Sequence, residues 1–364
     1  MFQTLDWSLF FSSGLIFSTK PGFVVISWGK VKESKIPFKE TNLWSFFCPD
    51  FYLNNSRYLR FEYNVECQSD QLLSYLKIGL KKKNNASNIK FSDLDFNIFE
   101  KKFYKIQKEI KKNVITKAVP VVFQKSNRLL SLLEKKYLLM SILEKNIIDI
   151  NQCLHIYGLF LNNKGILGSS PEILFSYKKQ NKILKSMALA GTALSSEKKD
   201  SLLNSDKDLK EHKIVSEYLN KALSNLENKN NLTSSKIYEK NIGYLKHLCK
   251  DFQISIDNFC LKTIINLLHP TPALGTSPKD QWNFLKTLDA VEHTTTSRLN
   301  HGAPFVGISP NQNIKAIVSI RNIQWTNTNL YLFAGCGIIS ESNLQKEFQE
   351  LNNKTKSTKL LLGI

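Results

Sequence analysis

A 364-residue chain with 42% apolar and 11% aromatic residues can bury an extensive core, which excludes disorder as the default state. Its 50 Lys and Arg against 31 Asp and Glu give a net charge of +19, admitting a nucleic acid, an anionic lipid or an acidic small molecule as partner. The excess is mostly Lys beside Asn, as in Lys81-Lys82-Lys83-Asn84-Asn85, and recurs along the chain; it reads as solvated surface, and no nucleic-acid-binding motif accompanies it.

The first apolar stretch, residues 9–17, has no basic region before it and is broken by Ser12-Ser13-Gly14. It is too short to span a bilayer, so neither an export signal nor a membrane anchor is read there. Residues 1–100 otherwise read as short strands, with β-branched and aromatic runs at 23–28 and 58–63 and no visible chemistry. Phe96, Ile98, Phe99, Phe103 and Ile106 recur at three- and four-residue steps, predicting a helix within 92–112. A buried strand is predicted over 114–123 and a helix over 128–147.

Strands are expected at 154–161 and 173–177, with 165–171 between them read as turn-rich. Ile214, Val215, Tyr218, Leu219, Ala222, Leu223 and Leu226 form one stripe of an amphipathic helix over 207–226. The C-terminal part reads as a hairpin of strands 316–325 and 330–339 around a Thr326-Asn327-Thr328-Asn329 turn, then a helix from about Asn343. No repeat and no long Pro/Gly/Ser linker marks a boundary, so one α+β domain over 1–364 is expected. The six cysteines (48, 67, 153, 249, 260 and 336) lack any CxxC pair and read as reduced thiols in a cytosol.

Several polar residues stand out against this apolar pattern. Glu347, Glu350 and Lys354 fall at offsets of three and seven on the last helix and share a face, which taken alone is the pattern of solvated salt bridges. The preceding Phe333-Ala334-Gly335-Cys336-Gly337-Ile338 ends an apolar strand with alternate glycines, letting a ligand approach backbone N–H groups. Asp208 and Glu211 open the 207–226 helix; either they are surface carboxylates or they offer the hard oxygens that Mg²⁺ prefers. Zinc is disfavoured, because no Cys/His cluster has ligand spacing. Lys117 interrupts an apolar strand and either points to solvent or faces a pocket, where desolvation would suit it to general-base work. Glu172, after a Ser-Ser-Pro turn, is either a strand-initiating charge or a general acid.

In ordered blocks the sequence resembles the chorismate-utilising family, which includes isochorismate, salicylate, anthranilate and aminodeoxychorismate synthases. The blocks are Ser169-Ser170-Pro171-Glu172, Ala188-Leu189-Ala190-Gly191-Thr192-Ala193, Lys207-Asp208-Leu209-Lys210-Glu211-His212 and Leu268-His269-Pro270-Thr271-Pro272-Ala273-Leu274-Gly275. Ser319-Ile320-Arg321, Ala334-Gly335-Cys336-Gly337-Ile338 and the Glu347/Glu350/Lys354 helix follow in family order. The resemblance runs from Lys117 to Lys354, within a catalytic core placed at 110–360, and does not extend to 1–100. It implies an α+β domain of layered β-sheets flanked by helices, like anthranilate synthase component I, with the site in a cleft.

The resemblance further implies that Glu211 and Glu350 bind Mg²⁺, with Glu347 and Asp208 at the ion or its waters. Arg321, Lys354 and the backbone at Gly335 and Gly337 would hold the enolpyruvyl carboxylate of chorismate, while Gly191, Thr192, His269 and Ala273 line the rest of the pocket. Ammonia-using members carry Gln at the position of Lys117, and the aminodeoxychorismate branch has a nucleophilic Lys at that of Ala190. Lys117 with Ala190 therefore implies water attack: Lys117 as base for addition at ring C2, Glu172 as acid for loss of the C4 hydroxyl. Ala193, in place of the Arg common in the ammonia-using branch, agrees. The family's Arg-x-x-Tyr-x-Gly segment appears as residues 298–305 without its Tyr, so no role transfers to Arg298 or His301. The expectation is an isochorismate synthase, an isomerase of cytoplasmic location serving menaquinone or siderophore synthesis, with no glutaminase subunit. The alternative is a salicylate synthase, which would go on to eliminate pyruvate.

Overall fold

The computed structural model describes residues 5–39, 42–54, 56–78, 89–148, 154–195, 202–226, 231–290 and 298–364; the 81–85 basic run and Cys153 lie outside them. In chain order the N-terminal part holds α1 (Trp7–Ser12), β1 (Ser13–Lys20), β2 (Phe23–Ser34), β3 (Ser45–Phe47), β4 (Tyr58–Gln68), α2 (Ser69–Lys77) and α3 (Phe96–Lys111). The middle holds β5 (Lys117–Ala118), β6 (Val121–Ser126), α4 (Leu132–Ile148), β7 (His155–Leu161), β8 (Lys164–Ser170), β9 (Ile173–Lys178), β10 (Ile183–Leu194) and α5 (Asp206–Ser224). After them come β11 (Thr233–Ser234), β12 (Tyr238–Ile242), β13 (Leu245–Ser255), α6 (Leu261–Leu268), β14 (Thr276–Ser277) and α7 (Trp282–Asp289). The chain closes with β15 (Pro304–Ile308), β16 (Ile314–Val318), β17 (Asn322–Trp325), β18 (Leu330–Gly335) and α8 (Leu344–Leu362).

Sixteen of these strands form one antiparallel sheet, in which β12 pairs with β13 off the path β11-β13-β10-β9-β16-β15-β3-β4-β2-β1-β7-β8-β17-β18-β6. The N-terminal strands β1 to β4 sit at its centre. Alternation along them explains how the sheet is buried on both faces. Leu15 and Phe17 of β1 and Val25 of β2 join a cluster whose fully buried members are all strand residues. Their neighbours Ile16, Val24 and Ile26 point the other way, into a core shared with α1, α2 and α4. Phe17 stacks on Phe305 of β15 with centroids 5.9 Å apart and planes 9° apart, so the curled sheet packs against itself. A third core lies under α3, α5, α6, α7 and α8. The result is the single α+β domain of layered sheet and flanking helices that the sequence leads one to expect.

Three local readings change. The 114–123 strand is two: β5 pairs with β14 in a separate two-stranded sheet, and β6 pairs with β18 in the large one. Pro120 stands at the break, where a residue without an N–H costs no ladder bond. The 165–171 segment is not a turn but mostly strand β8; Gly165 lies flat against the Trp325 ring, an ideal Cβ there falling 2.6 Å from Trp325 Cε2. The 316–325 strand breaks into β16 and β17 because Arg321 takes a left-handed φ of +57° between them. That turn aims Arg321 at the pocket described next.

Candidate functional site

Two helix starts and two strand ends converge on one pocket. Ser205 caps α5, its Oγ accepting from Asp208 N at 3.3 Å and donating to the Asp208 carboxylate at 2.6 Å. Lys207, Asp208 and Glu211 are thereby set on the first turns of α5. Asn343 caps α8 in the same way, accepting from Lys346 N at 3.1 Å, and sets Glu347, Glu350 and Lys354 on the facing helix. Acidic residues at both N-terminal turns also suit the helix dipoles.

The pocket is lined by Glu172, Ala190, Gly191, Thr192, Glu211, Ala273, Arg321, Gly335, Gly337, Glu350 and Lys354 among others. Ten of these are the site residues that the family resemblance implies, and Ala190 is its branch marker. Lys117 is fully buried and sits behind that lining, its Nζ 2.8 Å from Glu211 Oε1. Gly337 makes this approach possible, since an ideal Cβ there would fall 2.5 Å from Lys117 Cε and collide with Glu211 Oε1. Lys354 donates to Glu350 Oε1 at 2.6 Å and to Gly335 O at 2.8 Å. Burial opposes its charge, but Glu350, Cys336 and Glu211 together outweigh burial and raise its pKa.

Glu172 is 4% exposed and, among the described residues, no hydrogen bond or ion pair engages its carboxylate. Burial pushes its pKa up to about 8 against the opposing fields of Lys117 and Lys354, leaving a neutral acid that can donate a proton at pH 7. Arg321 donates to Ser357 Oγ at 2.9 Å and contacts His247 Nε2 at 3.2 Å. Burial draws it down to about 10, so it remains charged at neutral pH, and neither contact neutralises it. A buried guanidinium without a hydrogen-bonded carboxylate is suited to an anionic ligand.

His269 does not reach the pocket. Its Nε2 lies 2.7 Å from Phe51 O, and the ring packs edge-on to Phe51, so it ties the loop after α6 to the N-terminal strands. Burial lowers its pKa to about 3, which keeps it a neutral structural group. Arg298 is likewise structural: it pairs with Asp289 at 2.7 Å and donates to Leu274 O and Val119 O.

Two residues at the site carry no signal in the sequence reading. His247, on β13, contacts Gly191 O with Nδ1 at 3.0 Å while Nε2 faces Arg321, which fits an Nδ1–H tautomer. Burial lowers it to about 3, so it orients Arg321 as a neutral acceptor. An isolated histidine on an apolar strand announces none of this. His301, to which the sequence transfers no role, also lines the pocket, against Phe333, with its Nδ1 buried and unpartnered among the described residues.

The second is Lys207. Its Nζ lies 3.0 Å from Glu347 Oε1, 3.3 Å from Glu211 Oε2 and 3.9 Å from Asp208 Oδ1. Burial would lower its pKa, but these carboxylates and Glu350 outweigh burial and raise it. Lys207 therefore stands among four carboxylates, two of which, Glu211 and Glu350, also pair with Lys117 and Lys354. It does not satisfy them: among the described residues Glu347 Oε2 is buried without a partner, and burial followed by Glu350 pushes Glu347 up to about 7. An ammonium as stand-in, an orphaned carboxylate oxygen and an all-oxygen donor set fit a hard divalent cation. Among the described residues no three acidic, His or Cys side chains converge closely enough to chelate one as they stand.

Comparison with known proteins bears on the family and the fold. The family model described as "Chorismate binding enzyme" matches residues 51–363. Isochorismate synthase MenF of Bacillus subtilis is 28% identical over 235 residues, 60% of this chain and 47% of that protein. The vibriobactin-specific isochorismate synthase of Vibrio cholerae is 27% identical over 252 residues, 65% of this chain and 61% of that protein. The chain thus spans about half to three-fifths of the length of these curated relatives. The structure of MenF, the menaquinone-specific isochorismate synthase from Escherichia coli, superposes with a TM-score of 0.73 at 16% identity, covering 99% of this chain and 92% of that one; at this identity it shows the fold. With a family match across most of its length, the chain belongs to the chorismate-binding enzymes.

Proposed function

We propose that this protein is an isochorismate synthase that isomerises chorismate to isochorismate with Mg²⁺. The observation that carries the reading is the placement of Lys117 and Glu172 about one pocket: a fully buried lysine hydrogen-bonded to Glu211, and a buried carboxyl whose pKa burial raises. Addition of water and loss of hydroxide need one base and one acid. Ammonia would need no base, and an amide at position 117 would then suffice.

Arg321 and Lys354 hold the enolpyruvyl carboxylate, with the backbone N–H groups near Gly335 and Gly337 as further donors. Glu211 and Glu350 would hold Mg²⁺, with Glu347 and Asp208 beside it. When bound, the ion anchors the ring carboxylate and lowers the cost of charge developing beside it. Lys117 takes a proton from water as the water oxygen bonds to ring C2. The double bonds shift, the C4–O bond breaks, and Glu172 gives its proton to the departing hydroxyl, which leaves as water. Water enters and water leaves, so the net change is an isomerisation. Ala190 offers no competing nucleophile.

The reading is tested by incubating purified protein with chorismate and Mg²⁺, with and without ammonium, and identifying the product beside a pyruvate assay. Isochorismate without pyruvate is expected. Salicylate with pyruvate would move the protein to the lyase branch, and ammonium-dependent anthranilate would overturn the role of Lys117.

A further inference from the structure

We infer that Lys207 is a built-in counter-ion that occupies the carboxylate cluster and that a divalent cation binds by displacing its ammonium outwards. The inference rests on the metal reading above and adds a specific residue that sets metal affinity. It follows from three features of the site.

The first is position. Lys207 Nζ lies within 4 Å of Glu347, Glu211 and Asp208, carboxylates drawn from two different helices, so it stands between α5 and α8 rather than on the surface of either. An ammonium has three donors and no requirement for a coordination shell. A small divalent ion competes for the same oxygens but needs them closer, at about 2.0–2.1 Å for Mg²⁺. With Lys207 among them the carboxylates stand apart, in keeping with the absence, among the described residues, of a ready chelating group.

The second is that the other two lysines are fixed. Lys117 is enclosed on a strand, and Lys354 is held by both Glu350 and Gly335 O. The side chains of Lys207 and Lys354 are similarly exposed, at 25% and 20%, but of the three lysines Lys207 is the one that borders an outer cavity of about 500 Å³. Its flexible four-carbon stem can swing into that cavity, where Asn343, Gln349 and Asn353 offer side-chain oxygens. The third is Glu347 Oε2, buried and, among the described residues, unpartnered while Lys207 is in place. Lys117 and Lys354 already pair with Glu211 and Glu350, so Lys207 is the ammonium that faces Glu347 and still leaves this oxygen unsatisfied; a divalent ion in its place would take it as a donor.

The experiment uses the full chain without substrate, so that it reads binding and not turnover. Mg²⁺ alone is titrated calorimetrically into wild type, Lys207→Met and Lys207→Gln, with circular dichroism to check folding. Both variants are expected to bind Mg²⁺ at least tenfold more tightly than wild type, and their melting temperatures to rise more on adding it. In wild type, acetylation of Lys207 by an amine-reactive ester, followed by mass spectrometry, is expected to increase several-fold with Mg²⁺. If wild type binds Mg²⁺ but Lys207 labelling stays constant, or the folded variants bind no more tightly, the counter-ion role is wrong while the metal reading stands. If neither wild type nor variants bind Mg²⁺, the metal reading itself fails and the inference with it.

Discussion

Lys117 Nζ donates to Glu211 Oε1 at 2.8 Å, with the lysine fully buried and the glutamate nearly so. The pair joins a strand of the small sheet to the first turns of α5, and it brings the proposed base beside a proposed metal ligand. Removing one partner of a buried pair leaves the other uncompensated, so the substitution that tests it must keep a hydrogen-bond donor. Lys117→Gln does so. It is expected to lower kcat by about 10²–10⁴-fold, the usual worth of general-base catalysis, with an unchanged circular dichroism spectrum. Turnover within about threefold of wild type would remove Lys117 from the chemistry.

Glu172 sets a pH limit with a definite sign. Its folded pKa of about 8 lies above its ordinary value of 4.5, so the folded state holds the proton more tightly than the unfolded chain. Its contribution to stability is fully present below about pH 4.5 and is lost as pH rises towards 8. The acid is active only while protonated. kcat/KM is therefore expected to fall about tenfold per unit above pH 8. A profile flat to pH 9.5 would show that Glu172 is not the proton donor.

Arg321 combines a left-handed backbone, a contact with Ser357 and an orienting His247, which together aim a planar fork into the pocket. Arg321→Lys keeps the charge and loses the fork. At about 1.5–3 kcal/mol for a charged hydrogen bond, kcat/KM is expected to drop roughly 10–100-fold. Steady-state kinetics measure it, and an unchanged value would place the substrate carboxylate elsewhere.

Gly337→Ala introduces a methyl group against Lys117 and Glu211. Overpacking of this kind costs about 1–3 kcal/mol, so the protein is expected to fold with a lowered melting temperature and to lose activity through displacement of the pair. Wild-type kinetics in this variant would mean that the close approach has no catalytic consequence.

Much of this arrangement is legible in the sequence because it rests on short-range patterns. The amphipathic stripe of α5, the start of α8 near Asn343 and the β-branched run of β2 follow from periodicity and local composition. The pocket residues follow from the family blocks. What is not legible depends on contacts far apart in the chain. Glycines at 165 and 168 look like turn residues until Trp325 is seen packed on the first of them. A strand over 316–325 looks continuous, because nothing local says that Arg321 will turn. Lys207 and Glu211, four residues apart, read as an ordinary helical ion pair, and only the approach of Glu347 places that lysine in the cluster. His247 matters through Arg321, 74 residues away.

The most direct test of the central claim, water attack at C2 with loss of the C4 hydroxyl, is turnover of chorismate in H₂¹⁸O with Mg²⁺. Isochorismate formed early in the reaction is expected to carry one ¹⁸O atom, in the hydroxyl at C2. Isochorismate free of label would mean that the original hydroxyl migrated within the molecule, and would contradict the roles assigned to Lys117 and Glu172.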